Sequence, residues 1–144
     1  MVEADNYVPS PATWVRDQVD RILATGTTEG VLIMGRPVVL VAMRGRRTGA
    51  QRLVPVMRVE HDGTYAVVGS KGGAPSDPQW VRNLRAHPTV ELQDGTTTTS
   101  RRARELAGDE RSQWWDRCVA AFPSYAEYQT KTDRLIPVFV LDAA

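Results

Sequence analysis

The stretch MRGRRTGAQR, Met43 to Arg52, sets Arg44, Arg46, Arg47 and Arg52 within nine residues, with no acid among them. Guanidinium groups hold phosphates and carboxylates through paired hydrogen bonds. Gly45 and Gly49 let the backbone bend and expose its amides. Taken alone, such a run reads more simply as a solvated turn between two strands. A second stretch, GSKGGAPSDPQW (Gly69 to Trp80), leads from a strand end through a Ser-Lys-Gly-Gly loop into a helix start. A helix start offers free amides and a partial positive charge to an anion, and Lys71 adds a full charge. The alternative is a flexible turn with ordinary capping. The phosphate-loop pattern G-x-x-x-x-G-K-S/T is absent. If one face of the fold unites the two loops, Arg46, Arg47, Arg52 and Lys71 line a site for a ligand with several negative charges. A third stretch, FPSYAEYQ, repeats an aromatic every three residues at Phe122, Tyr125 and Tyr128. On a helical turn these share a face. They could wall a pocket for a flat substrate, with a tyrosine hydroxyl donating a hydrogen bond or proton. Core packing with the hydroxyls at the surface is the plainer account.

Other chemistry is scarce. No Ser-His-Asp or Cys-His set is evident. His61 sits in a turn signal, and His87 at a helix end where capping suits it better than catalysis. Cys118 reads as a small core residue. With one cysteine and two distant histidines, no metal site is expected. An enzyme of this composition would borrow its hard chemistry from a cofactor.

The elements that must position these residues follow from pattern. Helix 11–25 is capped by Ser10, begun by Pro11 and stopped by Gly26, with Trp14, Val15, Val19, Ile22 and Leu23 near helical spacing. A loose arm, 1–10, precedes it. Val38 to Met43 is a buried strand. RLVPVMRVE is a second strand, with Pro55 at an edge or bulge. HDG turns the chain into TYAVVGS, the third strand. DPQWVRNLRAHP is a helix capped by Asp77, opened by Pro78 and ended by Pro88. TVELQ and TTTTSRRAREL form a hairpin about Asp94-Gly95. GDERSQWWDRCVAAF is an amphipathic helix, on which Trp114 and Trp115 cannot both face the core. PSYAEYQTKT is a short helix and IPVFVL the last strand.

About six short strands without regular strand–helix alternation predict a mainly β, α+β fold, an antiparallel sheet or small barrel with peripheral helices. No G-x-G-x-x-G follows a strand. The 144 residues fit one domain, and 42% hydrophobic residues can build a core. A formal net charge of +1 makes any basic site local and argues against a nucleic-acid partner. The lone cysteine, the polar start and the lack of a long apolar window lead us to expect a cytoplasmic address, with the inner membrane face as a second option. The polar start gives no support for membrane contact.

The segments RGRRTGAQRLVPV, DGTYAVVGSKGGAPSDPQWVRNLRAHPTVEL and FPSYAEYQTKTDRLIPVFVL resemble the deazaflavin-dependent nitroreductases, actinobacterial oxidoreductases that use reduced coenzyme F-420. The resemblance runs from about Val38 to Leu141. It implies a split β-barrel with its core over 38–141, and a cofactor carrying a phosphate and an oligoglutamate tail. In that family a basic G-R-K/R-S/T-G loop holds the anionic parts. Here it corresponds to Gly45, Arg46, Arg47, Thr48 and Gly49, continuing through Ala50 and Gln51 to Arg52 and Pro55 of R-x-x-P. Val68 and Gly69 lead into Ser70, Lys71, Gly72 and Gly73, which match the S-K-G-G segment beside the deazaflavin. Trp80 and Asn83 match W-x-x-N-L. Tyr125 and Tyr128 match tyrosines on the acceptor side, and with Ser70 they form the expected catalytic set. Phe122 stands where a relative carries Tyr. The implied activity is hydride transfer from reduced F-420 to a quinone-like or nitroaromatic acceptor. A carrier that binds F-420 without turnover and a related FMN- or haem-binding barrel are the alternatives. The oligomeric state is left open.

Overall fold

A computed structural model describes residues 12–144. The expected arm, the Ser10 cap and the Pro11 opening lie outside the described residues. Among these residues eight strands and four helices follow one another as α1 (Thr13–Thr25), β1 (Leu32–Ile33), β2 (Arg36–Arg44), β3 (Gln51–Met57), β4 (Val59–His61), β5 (Thr64–Val68), α2 (Gln79–Ala86), β6 (Thr89–Asp94), β7 (Thr97–Glu105), α3 (Gly108–Ala121), α4 (Ser124–Thr130) and β8 (Val138–Ala143). A 3-10 turn, Lys71–Gly73, links β5 to α2. The strands form one antiparallel sheet in the order β1-β2-β6-β7-β8-β5-β4, with β3 on the free side of β2. It curls into a split barrel, the expected class.

The count exceeds six for two physical reasons. β1 has two residues, too few to show a period, and a tight turn with Met34 and Gly35 both at positive φ joins it to β2. The run RLVPVMRVE breaks at Arg58, whose amide donates to Pro37 O at 3.0 Å. β3 before the break pairs with β2, and β4 after it pairs with β5. Pro55 faces Leu40 on a strand with one partner, where a missing N–H costs no ladder bond.

Side-chain alternation divides the core. Val39, Val41 and Met43 of β2 and Phe139 and Leu141 of β8 turn into one cluster with Val81 and Leu84 of α2. The opposite face of β2 (Val38, Leu40, Ala42) packs under Val19 and Ile22 of α1. The opposite face of β8 (Val138, Val140) packs under Trp114, Cys118, Phe122 and Tyr125 of the α3–α4 region. A strand covered on both faces reads as an unbroken apolar run, as VVLVAM does.

Two local expectations are corrected. Trp14 lies 56% exposed rather than on the packed face of α1. Asp77 does not cap α2. The N-cap is Pro78, with extended backbone, and the Asp77 carboxylate is taken by Arg134 and Arg85. Gly26 ends α1 in the left-handed conformation, with its amide on Ile22 O at 2.8 Å. Trp114 is buried, and Trp115 is partly covered at the edge of the same cluster.

Candidate functional site

The arginine stretch forms the loop between β2 and β3. Arg44 pairs with Gln51, so residues 45–50 must reverse the chain. Gly45 N donates to Ala50 O at 2.8 Å, and Gly49 N to Gly45 O at 2.9 Å with Gly49 at φ 70°. Ala50 N donates to Thr48 Oγ1 at 3.2 Å, and Arg44 Nη1 to Gly49 O at 3.2 Å. The loop is tied to α2, because Arg46 N donates to Asn83 Oδ1 at 3.0 Å. Arg58, Arg85, Arg104 and Arg134 each meet a carboxylate. Among the described residues Arg46 and Arg47 meet none, and both are exposed. The Gln51 Oε1 atom beside this loop is buried and without a hydrogen bond among the described residues. Arg52 is half-buried opposite Met43.

The Ser-Lys-Gly-Gly segment is a turn of unusual backbone. Ser70 is right-handed (φ −75°, ψ −41°), and Lys71, Gly72 and Gly73 follow at φ 47°, 63° and 82°. A right-handed residue followed by a left-handed one gathers successive amides into a concavity suited to an anion. Gly73 N and Ala74 N close the turn onto Ser70 O and Lys71 O, at 2.9 and 3.1 Å. Gly69 lets α2 approach, since a Cβ there would lie 2.6 Å from Val81 Cγ2. Ser70 is 8% exposed, whereas Lys71 and Gly72 are open to solvent.

The tyrosines lie on α4, against this turn. A Cβ on Gly73 would come within 2.7 Å of Tyr128 O. Phe122, Tyr125 and Tyr128 form one ring cluster, with centroids 5.0 to 6.3 Å apart. Burial chiefly, and then the neighbouring Cys118 and Tyr128, push the Tyr125 phenol well above its ordinary range. It therefore stays protonated and can act as a donor. The Tyr128 hydroxyl reaches Met34 Sδ at 3.8 Å.

The structure thus brings the turn and the tyrosine helix into contact and fastens the arginine loop to the helix that leaves the turn. Trp80, half-buried on α2, packs against the barrel cluster. Pro55 and Val68 are buried, Val68 within the cluster beneath α3 and α4. Their side chains are taken up by packing. A hollow of about 240 Å³ opens elsewhere, lined by Tyr65, Leu92, Asp94, Thr97, Thr99 and Arg101. It contains no candidate residue, and its Tyr65 and Asp94 are already bonded to each other at 2.6 Å.

Sequence reasoning passed over Arg134 and Gln129, which hold the turn and α4 together. Arg134 bonds to groups 57 to 65 residues earlier in the chain. No local pattern signals a contact of that range.

A model of the F-420H(2)-dependent quinone reductase family matches residues 14–143. Over 108 residues the chain is 32% identical to an F-420H(2)-dependent quinone reductase of Mycobacterium tuberculosis, covering 73% of this chain and 72% of that one. A solved structure described as an F-420-H(2) dependent reductase is 54% identical, with a TM-score of 0.71 over 78% of this chain and 100% of that one. Another, described as a domain-swapped dimer, is 55% identical, with a TM-score of 0.73 over 92% and 100%. The chain belongs to the F-420H(2)-dependent quinone reductase family, oxidoreductases that draw on reduced coenzyme F-420.

Proposed function

We propose that this chain reduces quinone-like acceptors at the surface between the Ser70–Gly73 turn and α4, with nitroaromatic compounds as a second acceptor class. Reduced deazaflavin, when bound, supplies the hydride from its ring carbon. The protein's share is to hold the anionic tail, fix the ring and leave one face open. Arg46 and Arg47, with Arg52 and Lys71, hold the phosphate and glutamates, and the loop backbone from Thr48 to Gln51 adds amides. Ser70, Gly72 and the amides of the turn meet the ring region. Tyr125, Tyr128 and Trp80 shape the acceptor side, where a tyrosine hydroxyl or water delivers the proton. The donor set fits an anionic ligand, since these two arginines have no carboxylate among the described residues.

The observation that carries this reading is the seating of Gly73 against the Tyr128 backbone, which sets the amide turn beside the aromatic wall. The test mixes the protein with reduced F-420 and menadione and follows cofactor reoxidation. Reoxidation well above the protein-free rate is expected, and a nitroaromatic compound is assayed alongside. Absence of F-420 binding at high micromolar concentration defeats the proposal. Tight binding without oxidation by any of a broad quinone panel marks a carrier instead. A yellow or red colour after purification marks a barrel that holds FMN or haem.

A further inference from the structure

We infer that Arg134 is the positioning residue that presets the Ser70–Gly73 turn for the cofactor, a role that rests on the function proposed above. One guanidinium serves four acceptors. Nη1 donates to Gly69 O at 3.1 Å and Asp77 Oδ1 at 2.7 Å, Nη2 to Ser70 O at 2.7 Å, and Nε to Ala74 O at 2.9 Å. These acceptors bracket the three left-handed residues on both sides. The side chain is 15% exposed, so the carbonyls it serves have little water to replace it.

Peptide geometry turns this clamp into a statement about the site. In a trans peptide, C=O and the following N–H point in opposite directions. The Gly69 and Ser70 carbonyls are drawn to Arg134, so the Ser70 and Lys71 amides face away from it. These are the amides that the right-to-left-handed succession gathers for an anion. Left-handed backbone is unfavourable for lysine, so the turn needs outside support. A lysine at position 134 could not replace the clamp, because an ammonium lacks the planar fork that reaches acceptors on separate peptides.

Arg134 is itself seated from α4. Gln129 Nε2 donates to Arg134 O at 2.8 Å, and Ile136 N donates to Gln129 Oε1 at 3.0 Å. The helix with the acceptor-side tyrosines therefore fixes the residue that shapes the turn, and one relay ties both halves of the site.

The test compares wild type with Arg134→Lys, Arg134→Gln and Gln129→Met. It reads F-420 affinity by fluorescence titration, the Michaelis constant for menadione, and tryptic cleavage after Lys71. Both Arg134 variants are expected to lose F-420 affinity by about tenfold or more, at temperatures well below melting, and to raise the menadione KM alongside, since the acceptor surface lies between the turn and α4. Cleavage after Lys71 is expected to accelerate in all three variants, with cofactor absent. A purely structural role would lower the melting temperature and leave affinity intact below it, and that result overturns the inference. If Arg134→Gln fails to fold, Arg134→Lys, which keeps the charge, decides by the same readouts. If wild type does not bind F-420, the proposed function fails by itself. Lys71 cleavage then still decides whether Arg134 holds the turn, and an unchanged rate in the variants overturns that.

Discussion

Cys118 and Tyr125 sit side by side in the cluster beneath α3 and α4, and burial is the first cause of the shift in both. The thiol is pushed up from 9.0 to about 12, and the phenol above its ordinary 10.0. A raised folded-state pKa adds stability that is complete below the unfolded value and lost as pH rises toward the folded one. The contribution of these two groups to the unfolding free energy should hold below about pH 9 and then fall, by up to about 1.4 kcal/mol per pH unit for each group. Cys118→Ala should remove the part of the decline that starts near pH 9 and leave the later part, which Tyr125 shares with Tyr65, whose phenol is raised by burial and by Asp94. The arginine loop gives a second prediction at this scale. Replacing Arg46 and Arg47 together by Ala should weaken F-420 binding by about tenfold or more, with the larger loss at low salt because screening mutes exposed charges. The melting curve should stay unchanged, as neither side chain meets a carboxylate among the described residues.

At the scale of elements, the 3-10 turn and α4 act as one unit. Gly72 and Gly73 both have positive φ, but their surroundings differ. A Cβ on Gly72 meets nothing within 4 Å, whereas one on Gly73 lies 2.7 Å from Tyr128 O. Gly72→Ala should cost only the left-handed strain, about 1 kcal/mol. Gly73→Ala should cost more, since relief requires the α4 backbone to retreat from the turn. Thermal melts rank the two, and F-420 titration should show the larger loss of affinity in Gly73→Ala. Equal effects would mean that the turn and α4 are not pressed together as described. Helix α2 plays the complementary part, with Gly69 packed under Val81 and Asn83 holding Arg46 N.

Across the whole molecule, the sheet turns a corner where the chain passes from β3, paired with β2, to β4, paired with β5. Arg58 marks that corner, held by its amide on Pro37 and by its guanidinium on Asp94, at 3.0 Å from Nη2 to Oδ2. Tyr65 of β5 donates to the same carboxylate at 2.6 Å. One acid thus joins the end of β6 to the corner and to β5. Asp94→Ala should destabilise the fold by about 1–3 kcal/mol, the usual cost of stranding partly buried donors. The Michaelis constant for menadione should not change, since Asp94 lies in a hollow that holds no candidate site residue. Chemical denaturation and steady-state kinetics test the two halves of that statement.

The sequence alone determined what depends on near neighbours along the chain. VVLVAM had to be a buried strand, Gly26 had to end α1, and Asp62-Gly63 had to turn a hairpin, because period and φ are local properties. The types in RGRRTG and SKGG left ordinary turns as plain alternatives, and the expectation of an anion site came from taking the two together and from the family resemblance. Tertiary structure decided what depends on contacts between distant segments. It moved Asp77 from a helix cap to an ion pair with Arg134, since a largely covered guanidinium needs a carboxylate more than a helix end needs a cap. It split RLVPVMRVE at Arg58, since one straight strand cannot serve two sides of a barrel. It also made Arg134 the clamp of the turn. Its type was plain in the sequence, but its four partners became neighbours only when β5, the turn and the approach to β8 folded together.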